Sequence, residues 1–293
     1  MQLEPLQPIY FDAARKLLER AFPYDQMGVV AEEKLGSENG ARAGHAIAAL
    51  VDGALAGVLA TAGRFIKLLA VAEEHRRRGV GSALLRKAGE LAPGSRLRLL
   101  DHPGNYLSPG LDERSIEARD FFLRRNFVEV GRVENIRAPL TNNPLTTDER
   151  ADELAARAGA LGYAVRRLSD CDGETQDRFF SFVGSEFSPV WSFETRRALK
   201  GPAKAVHAAW HGTTPVAFAA ADGNNRGLGW FGPAGTVPAH RGRGLGEALL
   251  IACLLDVRAL PEGGVIAWIG PKEFYRKACG AVDDRRFLQL EEK

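Results

Sequence analysis

A twelve-residue pattern that occurs twice constrains the fold of this chain more than any other feature. Residues 74–85 read EHRRRGVGSALL and residues 239–250 read AHRGRGLGEALL, so Arg76 and Arg241 lie 165 positions apart. In both copies, arginines and glycines precede an apolar run. The chain has 293 residues, and domains usually contain about 100 to 200. A motif repeated at this distance predicts two copies of one domain rather than one large domain.

The segments around the two patterns follow the same order. In each half a predicted β-hairpin precedes a strand, the arginine–glycine loop, a helix, a further strand, an aromatic helix and a last strand. These segments are residues 45–63, 64–71, 72–81, 82–92, 96–100, 115–127 and 128–133 in the first half, and 205–222, 226–237, 238–246, 247–260, 263–269, 271–279 and 281–290 in the second. The alternation predicts an α/β fold (α+β, with a mixed sheet) in each half.

The segment between the halves is rich in residues that interrupt regular structure. Pro139 and Pro144 flank two asparagines, and Thr147 or Asp148 is suited to cap a short helix. We therefore predict two domains, residues 1–145 and 146–293.

The composition excludes several classes of protein. Lysine and arginine number 39 against 37 acidic residues, a net charge of +2, which gives no overall field for nucleic acid or an anionic membrane. Cys171, Cys253 and Cys279 show no CxxC spacing, so neither disulfides nor a zinc site are expected. The N-terminal segment lacks the apolar core of a signal peptide. We predict a cytoplasmic protein without a metal.

The most apolar stretch, residues 46–63, is interrupted at its middle by Asp52-Gly53. This dipeptide between two apolar runs is typical of a hairpin turn. We predict two strands there rather than a membrane-spanning helix.

The arginine–glycine loops are suited to bind phosphate. The first turn of a helix presents backbone N–H groups without intrahelical partners, and the helix dipole adds partial positive charge there. Glycines let an anion approach closely, and arginines can donate charge-assisted hydrogen bonds to it. The pattern therefore predicts a phosphate site, most simply a pyrophosphate site. The alternative is a solvated loop, or glycines that serve close packing only. Two copies in the same strand–loop–helix order disfavour this alternative.

Two familiar phosphate motifs are absent from the sequence. A Walker loop requires Gly-Lys-Ser/Thr, whereas Ser82 follows Gly81 and Glu247 follows Gly246. A dinucleotide fingerprint requires G-x-G-x-x-G, and neither copy has its third glycine.

At these residues the sequence resembles the GNAT-type N-acetyltransferases. Their signature, Q/R-x-x-G-x-G/A, is matched by Arg76, Gly79 and Gly81 and again by Arg241, Gly244 and Gly246. The resemblance implies that the loop amides hold the pyrophosphate of acetyl-coenzyme A. It also implies that the preceding strand pairs with the pantetheine arm.

The resemblance implies a set of cofactor-binding residues in each half. Residues 69–71 read LAV, as is usual for this family's strand, whereas residues 234–236 read AGT. The predicted set is Leu69, Ala70, Val71, Arg76, Arg77, Arg78, Gly79, Val80, Gly81 and Ser82, with Thr236, Val237, Arg241, Gly242, Arg243, Gly244, Leu245, Gly246 and Glu247.

Pro233 falls inside a predicted strand, where proline is expected at an edge or a bulge. The family has a bulge there that opens the thioester cleft. A bulge and a simple strand end are equally compatible with the sequence.

A tyrosine is the predicted general acid. A phenol can give its proton to the leaving thiolate, since their pKa values are near 10 and 8.5. By resemblance to the family's F-Y-x-K helix, Tyr275 has this role, with simple packing as the alternative. In the first half Phe122 takes the corresponding place and has no proton to offer.

The first copy contains an extra segment, residues 101–112, before its aromatic helix. The loop-to-aromatic spacing is 46 residues from Arg76 to Phe122, against 34 from Arg241 to Tyr275. We predict a surface loop. A catalytic contribution from its His102 or Tyr106 is the less favoured alternative.

The chain resembles tandem acetyltransferases in which one domain catalyses and the other mainly supports. This implies a catalytic C-terminal half, although the strand in that half is the less regular of the two. The sequence identifies no general base: Glu186, Glu194 and Asp222 are expected to be surface acids, and His240 a solvated loop residue.

The predicted function is an acetyl-coenzyme-A-dependent N-acetyltransferase that acts on an amine of a small molecule or peptide by direct attack. Neither half has a cysteine or serine placed as a nucleophile. A coenzyme-A-binding sensor or scaffold without catalysis is the alternative. Nucleic-acid binding through the arginine–glycine loops is disfavoured, because the near-neutral charge leaves no basic face.

Overall fold

The computed structural model describes residues 1–36, 39–40 and 42–293. The chain forms two compact units: unit 1 is Met1–Val133 with Arg286–Lys293, and unit 2 is Glu134–Arg285. Both are α/β units, which confirms the predicted fold class. The boundary between the units follows Val133, and the last eight residues of the chain belong to unit 1. The assignment of separate functions to residues 1–145 and 146–293 stays a prediction.

The secondary structure of the first half follows the predicted order. Its strands are β1 (Gln2–Pro5), β2 (Gly44–Val51), β3 (Ala54–Ala62), β4 (Phe65–Val71), β5 (Arg98–Leu99), β6 (Leu111–Asp112) and β7 (Phe127–Arg137). Its helices are α1 (Phe11–Ala21), α2 (Met27–Leu35), α3 (Val80–Leu91) and α4 (Ile116–Leu123).

The second half repeats this order after one additional helix. Its helices are α5 (Asp148–Ala160), α6 (Gly173–Glu186), α7 (Pro189–Lys200), α8 (Leu245–Asp256) and α9 (Lys272–Cys279). Its strands are β8 (Tyr163–Arg167), β9 (Val206–His211), β10 (Thr214–Ala221), β11 (Phe231–Thr236), β12 (Val265–Ile266) and β13 (Val282–Glu292). Helix α5 is capped by the Thr147 hydroxyl, which accepts from the Arg150 N–H.

The sheet of unit 1 is antiparallel from β1 to β4, and β5 then pairs parallel to β4. In unit 2, β8 to β11 are antiparallel, and β12 pairs parallel to β11. Each sheet therefore changes strand direction at the strand that leads into an arginine–glycine loop. The predicted hairpin is confirmed, because Asp52 and Gly53 both have positive φ between β2 and β3. No helix of the described residues is long and apolar enough to cross a membrane.

Both strands that lead into the loops carry a bulge at the same repeat position. In β11 the register shifts between the pairs Ala219↔Ala234 and Ala221↔Phe231, so Gly232 and Pro233 form the irregular step. In β4 it shifts between Ala60↔Leu68 and Thr61↔Ile66. The bulge interpretation of Pro233 is therefore confirmed.

The two closing strands complete the sheet of the opposite half of the chain. In unit 1, β13 pairs with β5 and β6, and Phe287, Leu288 and Leu290 are buried in the core. In unit 2 the end of β7 pairs with β12, and Ile136 is buried in its core. The sequence placed each closing strand in its own half. The alternation of apolar and polar residues in each closing segment specifies a strand with one buried face, but it does not specify which sheet edge the strand joins.

The segment 101–112 is not the surface loop that the sequence predicts, because it is largely buried. The Ser108 hydroxyl donates to the Gly110 carbonyl at 2.7 Å. A side chain at Gly110 would lie 2.5 Å from the Leu288 carbonyl oxygen, so β6 and β13 approach closely only with glycine there. The segment is thereby packed against the sheet.

Two further expectations about polar side chains were wrong. Glu194 is buried and accepts a hydrogen bond from the Asn224 amide at 2.7 Å. Asp222 is fully buried and accepts from the backbone N–H groups of Gly227 and Gly229. Glu186 is exposed, as expected. Glu194 and Asp222 organise the interior of unit 2, since buried carboxylates need such partners.

Candidate functional site

The two arginine–glycine loops have the same backbone form. Gly79 (φ 84°) and Gly244 (φ 77°) are in the left-handed conformation at the N-caps of α3 and α8. Arg76 Nε donates to the Val71 carbonyl at 3.4 Å, and Arg241 Nε donates to the Thr236 carbonyl at 3.0 Å. The predicted strand–loop–helix unit is thus present twice, with the first-turn N–H groups at the point where the strand ends.

One step of the loop is made by different residues in the two copies. Arg77 has φ 59° where Gly242 has φ 74°. A left-handed conformation costs an ordinary residue about 1–2 kcal/mol. The first copy therefore holds an arginine in a strained conformation at the mouth of the loop.

Replacing Gly79 with alanine should lower the melting temperature of the protein. A Cβ at Gly79 meets no atom within 4 Å, so the roughly 1–2 kcal/mol effect is purely conformational. Gly89, inside α3, also has open space around it. Gly89→Ala is the matched control and should raise the melting temperature, because alanine favours a helix by about 1 kcal/mol. Differential scanning calorimetry that found both changes stabilising would contradict the strained-cap argument.

Unit 1 contains a cleft of about 520 Å³ beside its loop. It is bounded by the α1–α2 connection, the end of β4, the start of α3, the ends of β5 and β6, and α4. Of the predicted cofactor residues, the lining includes Leu69, Ala70, Val71, Arg76, Arg77 and Gly81. Arg78, Gly79, Val80 and Ser82 are not among the described lining residues. The structure therefore brings the strand end and part of the loop together around one cavity.

Two arginines that the sequence analysis missed also line the end of this cleft near α3. Arg125 donates to the Ser82 hydroxyl at 2.8 Å and to the Phe121 carbonyl at 3.0 Å, and its guanidinium stacks 3.8 Å above the Phe121 ring. Burial and the neighbouring Arg124 lower the pKa of Arg125. The run RRNF after the aromatic helix was the available sequence signal, and it adds positive charge at the first turn of α3.

The cleft lining includes a second group of residues that the sequence did not indicate. Tyr24 comes from the α1–α2 connection, and Asp112 and Arg114 follow β6. The Arg114 guanidinium lies 3.8 Å from the centre of the Tyr24 ring. Only the tertiary structure brings these side chains together.

The aromatic helices α4 and α9 occupy equivalent places in the two units. Gly81 faces the Phe121 ring and Gly246 faces the Phe274 ring. Phe122 therefore corresponds to Tyr275. Phe122 is buried against Phe127.

Tyr275 is the predicted acid of unit 2, and it packs among aromatic rings. Its ring centre lies 5.0 Å from that of Phe274 and 6.2 Å from that of Phe231. Burial raises the pKa of Tyr275 to about 12. The phenol thus holds its proton at neutral pH and gives it up less readily than an exposed tyrosine.

In unit 2 an aromatic ring covers the strand that corresponds to the lining strand of unit 1. A side chain at Gly235 of β11 would overlap the ring of Phe187. Phe187 stacks on Trp191 at 5.8 Å and contacts Phe218 edge-on at 5.1 Å. This face of β11 is therefore filled by the α6–α7 corner, whereas Ala70 of β4 lines the cleft in unit 1.

The loop side chains of unit 2 have protein partners. Glu247 in the first turn of α8 accepts from Arg150 at 2.7 Å. Arg243 donates to the Tyr163 hydroxyl at 2.5 Å, and that hydroxyl is 2.8 Å from His240 Nδ1. The expectation that His240 is a solvated loop residue was wrong. Arg243 and Glu247 are engaged in contacts that a phosphate would have to replace.

The cysteines are poor nucleophiles. Cys253 and Cys279 are buried, and burial raises the pKa of Cys279 to about 11 and that of Cys253 well above its usual value. The thiolate, which is the reactive form, is therefore scarce at neutral pH. The described residues include no group of three metal-ligating side chains.

Residues 14–129 match the family model of the acetyltransferase (GNAT) domain. No curated protein matches the sequence. Among solved structures, the GCN5-related glucosamine N-acetyltransferase region of a fungal multi-domain GH3 β-N-acetylglucosaminidase superposes over 99% of this chain, with 15% identity and a TM-score of 0.76. The match covers 38% of that chain, so this protein spans less than half the length of that relative.

Two further structures match along nearly their whole length. A GCN5-related N-acetyltransferase from Sphaerobacter thermophilus has 16% identity and a TM-score of 0.64, with 99% of this chain and 95% of the other covered. A tandem GNAT protein from the clavulanic acid biosynthesis pathway has 18% identity and a TM-score of 0.64, with 99% and 98% covered. Residues 14–129 thus form a GNAT acetyltransferase domain, and the whole chain has the tandem GNAT fold.

Proposed function

We propose that this protein is an N-acetyltransferase that moves an acetyl group from acetyl-coenzyme A to an amine, and that the acetyl carrier binds in unit 1. The observation that carries the proposal is the cleft of about 520 Å³ where the end of β4, the arginine–glycine loop and α4 meet. The sequence predicts that the C-terminal half is the catalytic one. The open cleft in unit 1 and the covered strand in unit 2 favour the N-terminal unit instead.

The residues of this cleft fit the chemistry of the carrier. The N–H groups at the start of α3 suit a diphosphate, and no side chain of Gly81 hinders its approach. Arg76 and Arg77 lie on the loop and line the cleft, and Arg125 is held at Ser82, so three arginines contribute positive charge to this part of the lining. The apolar end of β4, Leu69 to Val71, suits the pantetheine arm. Acetyl-coenzyme A supplies the thioester.

The reaction in such a cleft is a direct transfer. The neutral amine attacks the thioester carbonyl, the C–N bond forms, the C–S bond breaks, and the thiolate leaves with the electron pair. The amine loses one proton and the thiolate gains one, so no oxidant or metal is needed. The high pKa of the buried thiols of Cys253 and Cys279 also supports direct attack over an acyl-cysteine intermediate.

Calorimetric titration with acetyl-coenzyme A tests the binding step, and a screen of amines with detection of the released thiol tests the transfer. The screen includes glucosamine, the amine named for the fungal relative. We expect one equivalent to bind per chain, and thiol release that depends on an amine. No detectable binding would refute the proposal. Binding with no amine-dependent release from any acceptor would favour the sensor or scaffold.

The Tyr275→Phe variant tests whether catalysis takes place in unit 1 or in unit 2. We expect this change to alter turnover by less than about threefold, because Tyr275 is not among the described lining residues of the cleft and lies in the unit whose strand is covered. If Tyr275 instead protonates the thiolate in unit 2, as the sequence predicts, turnover should fall by about 100-fold or more. Tyr10→Phe removes a phenol that is not among the described lining residues of the cleft, and it is the control for the loss of a phenol.

A further inference from the structure

We propose that the cleft of unit 1 selects an acceptor amine that also carries a carboxylate, and that Arg114 binds this carboxylate. The inference rests on the proposed function, since it concerns the second substrate of the same site. It is carried by the way in which Asp112 and Tyr24 fix the Arg114 guanidinium at the cleft.

Asp112 holds one edge of the Arg114 guanidinium. Arg114 Nε donates to Asp112 Oδ1 at 2.8 Å, and Nη2 donates to Oδ2 at 2.7 Å. The Arg114 backbone N–H also donates to Oδ1, at 2.9 Å. The Asp112 side chain is only 7% exposed, so the carboxylate is a fixed, buried support. Such a bidentate pair sets the plane of the guanidinium as well as its position.

The Tyr24 ring supports the flat face of the same guanidinium at 3.8 Å. An arginine has five N–H donors, and Asp112 takes the Nε edge. Among the described residues, none accepts a hydrogen bond from Nη1. The remaining edge, formed by Nη1 and the second N–H of Nη2, matches the two oxygens of a carboxylate. The Arg114 side chain is 51% exposed, so this edge can be reached from the cleft.

The support is built by a segment that the second copy of the repeat lacks. The segment 101–112 accounts for the longer spacing of the first copy and ends at Asp112. It is fixed by the pairing of Leu111 and Asp112 with Leu288 and Phe287 of β13. The extra residues therefore bring a buried carboxylate to the one unit that has the cleft described above.

The charged side chains around Arg114 suit a ligand that carries both a positive and a negative charge. Arg20 and Asp25 also line the cleft. The hydrogen bonds to Asp112 raise the pKa of Arg114, and the charge of Asp25 raises it further. A purely anionic ligand would meet Asp25 as well as Arg114. An amino acid or similar amino-carboxylate offers an ammonium to the acid and a carboxylate to the guanidinium.

Arg114 is also separate from the group expected to hold the diphosphate. Arg125 is bonded to Ser82 in the first turn of α3, whereas Arg114 stacks on the α1–α2 connection through Tyr24. The affinity for acetyl-coenzyme A therefore distinguishes an acceptor role of Arg114 from a cofactor role.

The experiment compares matched amines with and without a carboxylate: L-lysine against 1,5-diaminopentane, and L-alanine against ethylamine. Calorimetry measures their binding to the protein loaded with coenzyme A, and thiol release measures kcat and KM. We expect at least one carboxylate-bearing member to bind about 10- to 100-fold more tightly than its partner, the range for a charge-assisted contact. Arg114→Gln should remove that difference and raise KM rather than lower kcat.

Controls separate this result from a structural effect. Arg119→Gln removes an arginine of α4 that pairs with its neighbour Asp120, and it should leave the preference unchanged. Arg114→Lys keeps the positive charge but loses the pair of N–H donors for the ligand carboxylate, so it should weaken the preference. This variant keeps the test decisive if Arg114→Gln fails to fold. Equal binding of the members of every pair by the wild type, or no binding of either carboxylate-bearing amine, overturns the proposal. So does an equal loss of acetyl-coenzyme A affinity in Arg114→Lys. Failure of acetyl-coenzyme A itself to bind would instead refute the proposed function.

Discussion

Gly81→Leu should weaken the binding of acetyl-coenzyme A by about 100-fold or more. A Cβ at Gly81 would already lie 3.0 Å from Phe121 Cε2 and 3.5 Å from Val71 Cγ2, and the leucine side chain would extend into the cleft. The diphosphate would then be held away from the N–H groups of α3 and from Arg76. Loss of two charge-assisted hydrogen bonds of roughly 1.5 kcal/mol each corresponds to that factor. Calorimetric titration measures the change.

Gly246→Leu is the matched variant in the other copy of the loop. A Cβ at Gly246 would lie 3.6 Å from Phe274 Cζ, an ordinary contact. We expect this variant to keep wild-type affinity and a stoichiometry of one per chain. If Gly246→Leu lost binding while Gly81→Leu kept it, the carrier site would belong to unit 2. Circular dichroism spectra and melting temperatures of both variants check that each is folded.

Phe287→Ala should destabilise unit 1 by about 3–5 kcal/mol, the usual effect of truncating a buried phenylalanine. The Phe287 side chain is fully buried, and its residue pairs with Asp112 across the β13–β6 ladder. The effect should appear in unit 1 although the residue lies near the end of the second half of the sequence. Hydrogen exchange of the β5 and β6 amides measures it, since exchange there should become faster.

Val282→Ala is the control on the same strand. Val282 begins β13 and is 58% exposed, so its truncation should change stability by less than about 0.5 kcal/mol. Phe287→Ala with unchanged exchange at Arg98, Leu99, Leu111 and Asp112 would contradict the assignment of the last eight residues to unit 1.

The loops were predictable because their chemistry is local. Glycine at the left-handed caps Gly79 and Gly244, and the helix that starts after each, follow from short-range backbone preferences. The turn at Asp52-Gly53 and the bulge at Pro233 were indicated by the same kind of signal. Each depends on a few neighbouring residues, and each is present in the structure.

The cleft was less predictable, because its parts come from distant segments. Leu69 to Val71 and the loop were expected there, but Arg114, Tyr24 and Arg125 were not. An arginine on a polar stretch has the same local sequence whether it faces solvent or a cavity. The burial of Glu194 and Asp222 was missed for the same reason, since their partners Asn224, Gly227 and Gly229 form contacts only after the chain folds back.

The sequence by itself determined that one α/β unit occurs twice, with a glycine-capped helix after the strand that leads into each loop. It did so because periodicity, turn chemistry and capping act over a few residues. Only the tertiary structure decided that β13 completes unit 1 and that Phe187 covers the strand of unit 2. It also decided that the segment 101–112 is buried and carries Asp112 to the cleft. These outcomes depend on which surfaces pack together. The hydrophobic effect is non-directional, so an apolar segment of the sequence does not specify which surface it packs against.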